Sequence, residues 1–190
     1  DRAERAAAVI ERQSAQLARL VDDLLDVSRI NFGSLQLQRQ RLDLRQVVET
    51  ALETSRPLLE AGQHRLEVRY ADRPLPVYAD ETRIAQCVAN LVNNACKFTP
   101  AGGVVEVDVR ALGEHGSQWA SVTVTDNGQG IAPHMLEKVF DLFAQERRSG
   151  MGGNTGLGIG LALVRRLVQM HGGQVQARSE GVGRGASFEI

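Results

Sequence analysis

Residues 80–99, DETRIAQCVANLVNNACKFT, decide how this chain is read. Ile84, Val88, Leu91 and Ala95 recur at steps of three and four, so they form one apolar stripe of a helix. Asp80 stands where an N-cap belongs, and Glu81 suits the positive end of the helix dipole. Asn90 and Asn94 are four residues apart and project from one side. Lys97 extends that polar edge and Phe98 follows it. Two amides, an ammonium and an aromatic ring can hold a metal–phosphate group with a base beside it. An amide oxygen is a competent Mg²⁺ ligand, and Mg²⁺ usually keeps waters and takes substrate phosphate oxygens as well. The plainer alternative is a helix whose asparagines face water. The glycine-rich segments downstream favour the nucleotide site.

The chain has 190 residues, enough for one good domain plus an appendage. With 43% hydrophobic and 24% charged residues it can bury an ordinary core. A formal net charge of -1 and only 4% aromatics argue against nucleic acid as a partner. Cys87 and Cys96 share the asparagine helix, about 13 Å apart at its rise per residue, too far to bridge. A reducing, cytoplasmic setting fits. The histidines are scattered and show no metal-ligand spacing. No apolar run is long enough to span a bilayer. The chain starts inside a helical pattern and stops inside a strand-like one, so it reads as part of a longer protein. Any membrane attachment belongs to parts outside it.

Working outward, residues 1–32 read as one long helix. Ile10, Leu17, Leu20, Leu24 and Val27 recur in an a/d-like pattern, with Val21 and Leu25 widening the stripe. Such a helix needs a partner, and a bundle with another helix, from a preceding part of the same protein, a second subunit or both, is preferred over packing on its own domain. Gly33 suits a C-cap. Residues 33–42 read as a linker and candidate hinge, with Leu35 and Leu37 alternating. The second domain, 43–190, opens with a helix from Asp43 to Ala61, which Pro57 should kink or end. Strands are expected at 65–70, 77–79, 104–112, 119–125, 174–179 and 186–190. Residues 114–118 fit a hairpin loop. Helices are expected at 133–140 and 158–171. The pattern is helices laid on one face of a mixed sheet, a two-layer α/β sandwich.

Asp126-Asn127-Gly128-Gln129-Gly130 follows directly on a strand. Glycines there let backbone approach a ligand closely. The Asp126 carboxylate can accept from adenine's exocyclic amine, a charge-assisted bond contributing roughly 1.5–3 kcal/mol. Guanine puts a carbonyl in that place and is selected against. A simple turn is the competing reading. Gly156-Leu157-Gly158-Ile159-Gly160 precedes a helix, where backbone amides bind phosphate. It lacks a Gly-Lys-Ser/Thr ending and a strand running into it, so it is neither a P-loop nor a Rossmann turn. The run before it, 149–154, suits a lid over phosphates. Phe140-Asp141-Leu142-Phe143 should anchor the base of that lid to the core through its rings. Gly183-Arg184-Gly185 fits a hairpin turn or a final glycine contact.

In order and spacing these segments resemble the ATP-binding domain of sensor histidine kinases, over essentially the whole chain. Residues 90–97 look like the N box, 126–130 the first glycine box, 140–143 the F box, 156–160 the second glycine box and 183–185 the third. Residues 1–32 resemble the second helix of the dimerisation and phosphotransfer hairpin. The fold implied is that of the histidine kinase, gyrase and chaperone ATPase superfamily. The resemblance implies that Asn94 ligates Mg²⁺ and that Asn90 supports the metal and phosphate end. Lys97 contacts phosphate, Phe98 lies against the adenine, and Asp126 accepts from its amine. Gly128 and Gly130 shape the adenine pocket, with Phe140 and Phe143 beside it. Gly156, Leu157, Gly158 and Gly160 hold phosphate under the lid. Asn90 and Lys97 are the candidate catalytic residues. Arg147 and Arg148 are added from charge and place.

The superfamily's ATP-hydrolysing members resemble this pattern but carry glutamate at the position of Asn90. An amide cannot take water's proton. Phosphoryl transfer otherwise needs mainly positioning and charge neutralisation. A neutral imidazole is already a nucleophile and can do without that base. The implied activity is therefore transfer of the ATP γ-phosphate to histidine and then to an aspartate of a response-regulator receiver domain, in a homodimer formed through the first helix. One departure stands out. His64, His115, His134 and His171 all lie in the ATP domain, and none is followed by the family's acidic context. The chain should bind Mg-ATP without phosphorylating itself. The alternatives are an anti-sigma-type serine kinase and a non-catalytic dimerising scaffold that binds a regulator.

Overall fold

The computed structural model describes residues 2–113, 119–144 and 157–190. Helix α1 runs Arg2–Asn31. Ile10, Leu17, Val21, Leu24 and Leu25 of its stripe stand exposed, while Val27 and Asp26 at its far end are buried. Gly33 has φ +65, and the Ser34 amide donates to the Arg29 carbonyl at 2.8 Å, a left-handed helix stop of the kind glycine permits. The Asp26 carboxylate then ties α1 to the rest: it accepts from Arg83 at 2.5 Å and from Gln86 at 3.1 Å.

Strand β1 (Gln40–Asp43) pairs antiparallel with β3 (Pro76–Ala79) in a two-stranded ribbon. This pairing emerges inside the segment read from the sequence as a linker. Helix α2 (Leu44–Ala61) is N-capped by Asp43, whose carboxylate accepts from the Arg45 and Leu75 amides at 3.1 Å. Pro57 does not end α2. It lies on the exposed side, where the carbonyl it frees can meet water.

The main sheet has five strands in the order β2 (Arg65–Tyr70), β4 (Val104–Leu112), β5 (Trp119–Asp126), β7 (Ala186–Glu189), β6 (Gln176–Arg178). The β2–β4 pair is parallel and the others antiparallel, so the sheet is mixed. Alternation along β4 sends Val105, Val107 and Val109 to one face. There they meet Val122 and Val124 of β5 and Phe188 of β7. Over that face lie α2, α3 (Glu81–Phe98) and α5 (Gly160–Met170), contributing Val47, Val48, Val88, Leu91, Leu163 and Leu167 to the core. Each such side chain contributes about 1.5–3 kcal/mol on burial. The architecture is a two-layer α/β sandwich preceded by a long helix. No helix among the described residues is long and apolar enough to cross a membrane.

Two helices are shorter than the sequence predicts. Helix α4 covers only Pro133–Leu136. Beyond it the Lys138 and Asp141 amides bond three residues back, to Met135 and Lys138, so the chain tightens into turns. Helix α5 starts at Gly160 rather than Gly158, because Gly158 has φ +69 and lies outside the helical region. The loop expected at 114–118 and the lid expected at 149–154 lie outside the described residues, as do Arg147, Arg148 and Gly156. Cys87 and Cys96 are both free thiols. Burial pushes the first up to about 12 and the second to about 11.

Candidate functional site

Helix α3 is held from its first residue. The Asp80 carboxylate accepts from the Arg83 amide at 3.1 Å and from the Gln38 amide at 2.8 Å. Ile84, Val88, Leu91 and Ala95 are buried along one side, which turns Asn90, Asn94 and Lys97 toward another. The Nδ2 of Asn90 is buried with no hydrogen-bond partner among the described residues. A Cβ placed on Gly160 would lie 3.8 Å from that amide, so the first turn of α5 faces it across a narrow gap. The Oδ1 of Asn93 is likewise buried and without a partner among those residues. Sequence reading passed over Asn93, although its position three after Asn90 puts it on the same face. Asn94 is half-buried. Lys97 is exposed, with its ammonium 4.8 Å from the ring centroid of Phe98, and partial desolvation pulls its pKa below the ordinary value.

At the other end of α3, strand β5 delivers Asp126, which is only 7% exposed. Its Oδ1 accepts from the Gly128 amide at 2.9 Å. Burial pushes its carboxyl above the ordinary value, against the opposing effect of the Gly128 and Ala186 amides. The loop hangs from the end of α3: the Gln129 amide donates to the Phe98 carbonyl at 3.0 Å. A Cβ on Gly128 would come within 2.3 Å of that same carbonyl oxygen. Asn127 accepts from the Val104 amide at 2.8 Å, fixing the loop to β4. Gly130 has φ +65, and a Cβ there would lie 2.0 Å from the Gly181 carbonyl. Gly185, from the predicted third glycine segment, packs against the Asp126 carbonyl just as closely.

Of the phenylalanine segment, Phe140 meets Phe188 edge to face at 6.2 Å between ring centroids. Phe143 differs from expectation. Its ring is 61% exposed, and its backbone, at φ +62, makes the link instead, donating to the Gly158 carbonyl at 3.0 Å. The residues flanking segment 145–156 therefore meet. Leu157 is exposed.

The fold brings the sequence-predicted segments together. Gly128 lies against Phe98, Gly160 against Asn90, and Gly185 against Asp126. Orphaned buried amides at one end and glycine-lined contacts around a buried carboxylate at the other fit a nucleotide. The described residues contain no group of three or more His, Cys, Asp or Glu able to hold a metal. A divalent cation there needs phosphate oxygens to complete its shell.

Comparison with known proteins agrees with this geometry. Residues 79–190 match the family model described as histidine kinase-, DNA gyrase B-, and HSP90-like ATPase. The adaptive-response sensory kinase SasA of Thermosynechococcus vestitus is 37% identical over 94% of the chain, which covers 45% of that protein. The sensor protein DivL of Caulobacter vibrioides is 34% identical over 95% of the chain, which covers 22% of it. A structure of full-length ShkA in complex with AMPPNP is 30% identical, with a TM-score of 0.77, covering 97% of this chain and 37% of that one. The chain thus spans less than half the length of each of these proteins.

Proposed function

This chain belongs to the histidine kinase-, DNA gyrase B- and HSP90-like ATPase family, and from that premise we propose that it is the ATP-binding catalytic part of a protein-histidine kinase in a two-component system. The observation that carries the proposal is the opposition of two built features: the buried, loop-locked Asp126 carboxylate and the Asn90 amide that faces Gly160 with no partner among the described residues. Asp126 reads the adenine amine, with Phe98 beside the base and Gly128 and Gly130 shaping its floor. Asn90 and Lys97 position and neutralise the phosphates at the N-terminus of α5. Asn94 holds Mg²⁺, which supplies charge neutralisation at the phosphates when bound.

Asn90 offers no carboxylate to activate water, so the reading favours transfer over hydrolysis. The acceptor histidine lies outside this chain. His171 has its Nε2 accepting from the Asp80 amide at 3.0 Å and its Nδ1 2.7 Å from the Leu167 carbonyl, so neither nitrogen is free to attack. His64 is turned onto the Cys96 carbonyl at 3.1 Å. The exposed stripe of α1 supports residues 1–32 as part of a homodimeric helical hairpin, with 43–190 as the catalytic domain after a 33–42 linker. A response-regulator receiver domain is the partner downstream. A cytoplasmic setting rests on the two unbridged thiols.

Calorimetric titration with Mg-ATP tests the reading. Saturable binding is expected in the parent, and binding weakened about tenfold or more in Asn94→Ala and Asp126→Ala variants that keep the parent's circular dichroism. A parent that takes up no nucleotide returns the chain to the scaffold alternative. With γ-labelled ATP this chain alone should acquire no acid-labile phosphate, and a histidine-linked label on it overturns the missing-acceptor reading.

A further inference from the structure

The glycine turn near the C-terminus is held by one hydroxyl. Ser179 Oγ accepts from the Ile131 amide at 3.0 Å and from the Gly181 amide at 3.2 Å, and donates to the Gly185 carbonyl at 2.6 Å. A serine hydroxyl has one proton and two lone pairs, so these three bonds use its full capacity, and the Gly181 carbonyl, at 3.3 Å, yields that proton to the nearer Gly185 carbonyl. They reach both limbs of the 179–185 turn and the residue that follows Gly130.

That turn needs such a pin. Gly181, Gly183 and Gly185 have φ of +119, +79 and +70, and glycine loses the most backbone freedom on being fixed. Once fixed, the turn backs the purine-reading loop directly. The Gly183 amide donates to Gln129 at 2.6 Å and the Gly185 amide to Gly128 at 3.1 Å. Gly181 approaches Gly130, and Gly185 packs on the Asp126 carbonyl so tightly that a methyl would lie 2.0 Å from it. A shift at Gly185 is therefore a shift at Asp126.

The structure assigns Ser179 as a positioning residue that sets purine selectivity: by locking the turn, it fixes where the Asp126 carboxylate stands relative to the floor of the base pocket. The inference rests on the nucleotide reading of the site above. Ser179 touches no ligand itself. It acts through Ile131, Gly185 and Asp126.

The test is a set of titrations of the whole chain with ADP and inosine diphosphate, at a temperature well below unfolding. Inosine diphosphate replaces the exocyclic amine with a carbonyl. Ser179→Ala should weaken ADP binding about tenfold, the scale of one net hydrogen bond lost at the pocket floor. It should leave inosine diphosphate binding nearly unchanged, so the preference between the two narrows. Ser179→Cys, similar in size with a weaker donor and acceptor, should fall between. A merely structural serine would lower the melting temperature without narrowing that preference, and this outcome overturns the assignment. A parent that binds neither nucleotide is a different failure, that of the site itself, and shows in the parent's own blank titration.

Discussion

Around Asp126 the polar groups of the loop are spoken for. The Gly128 amide meets the carboxylate, Gln129 meets Phe98 and Gly183, and Ile131 meets Ser179. Around Asn90 the situation is reversed. The amide nitrogen of Asn90 and the amide oxygen of Asn93 are buried and find no hydrogen-bond partner among the described residues. A buried polar group left without a partner costs about 1–3 kcal/mol. On the reading proposed above, the base end gives selectivity through rigidity, since its acceptor is fixed before any ligand arrives. The end proposed for phosphate holds unspent hydrogen-bonding capacity that a ligand can relieve. The same pocket is preorganised at one end and under-satisfied at the other.

The sharpest way to break this contrast is Asp126→Ala. Loss of a charge-assisted bond to the base should weaken ADP binding by about 1.5–3 kcal/mol, roughly 10- to 150-fold. The sign of the pH dependence follows from burial. The folded carboxyl lies above its ordinary 3.8, so its contribution to stability is full below that value and is lost as pH rises through the folded value. Accepting from the base requires the ionised form. Affinity for ADP should therefore rise with pH across the carboxylate range and flatten above it. Titrations at a series of pH values check this, and an Asp126→Asn variant should show no such rise.

The two ends should also answer differently to one added methyl. Gly128→Ala places a Cβ 2.3 Å from the Phe98 carbonyl oxygen, a backbone atom that cannot turn aside. Overpacking of this kind costs about 1–3 kcal/mol of stability, read as a lower urea midpoint with unchanged slope. Gly160→Ala meets Asn90 only at 3.8 Å, an ordinary contact. Relief of glycine's entropy should raise stability by about 0.4–1 kcal/mol. The methyl should still narrow the gap to Asn90 and weaken ATP binding more than adenosine binding. Equal destabilisation by the two substitutions would remove the contrast.

Asn90→Leu isolates the orphaned amide. Removing a polar atom that has no partner among the described residues should leave the ligand-free melting temperature unchanged or slightly higher. Affinity for ATP should fall while that for adenosine holds. A marked drop in ligand-free stability would show that Asn90 is already satisfied in the resting protein.

The parts legible in the sequence are those whose cause is local. The α3 stripe, the Asp80 cap and the alternation of Val105, Val107 and Val109 each follow from residues a few positions apart, and the sheet and its helical layer follow from them. The base loop was legible for the same reason, as an acidic strand end followed by glycines. The failures are non-local or competitive. The β1–β3 ribbon joins segments far apart in the chain through short strands with little alternation. Helix α4 loses to bonds three residues back. The ring of Phe143 reads as a core residue by composition, yet a left-handed backbone turns it outward. Ser179 matters only through partners at Ile131 and Gly185, and no spacing rule points to them.

A cap remote from both ends supplies the smallest expected effect and the control for all the others. Asp43 holds the start of α2 and the Leu75 amide, and the Arg45 guanidinium keeps its carboxyl at about 2 against an ordinary 3.8. A lowered folded value means the stabilisation is present above 3.8 and is lost as pH falls through about 2. Asp43→Ala should cost about 1 kcal/mol at neutral pH, and the gap to the parent should close between those two values. ADP and ATP affinities should not move, because the cap's partners among the described residues, Arg45 and Leu75, are not residues of the pocket. If they do, stability lost anywhere in the domain weakens nucleotide binding, and the losses expected at Asp126 and Asn90 must be measured against that baseline rather than against the parent.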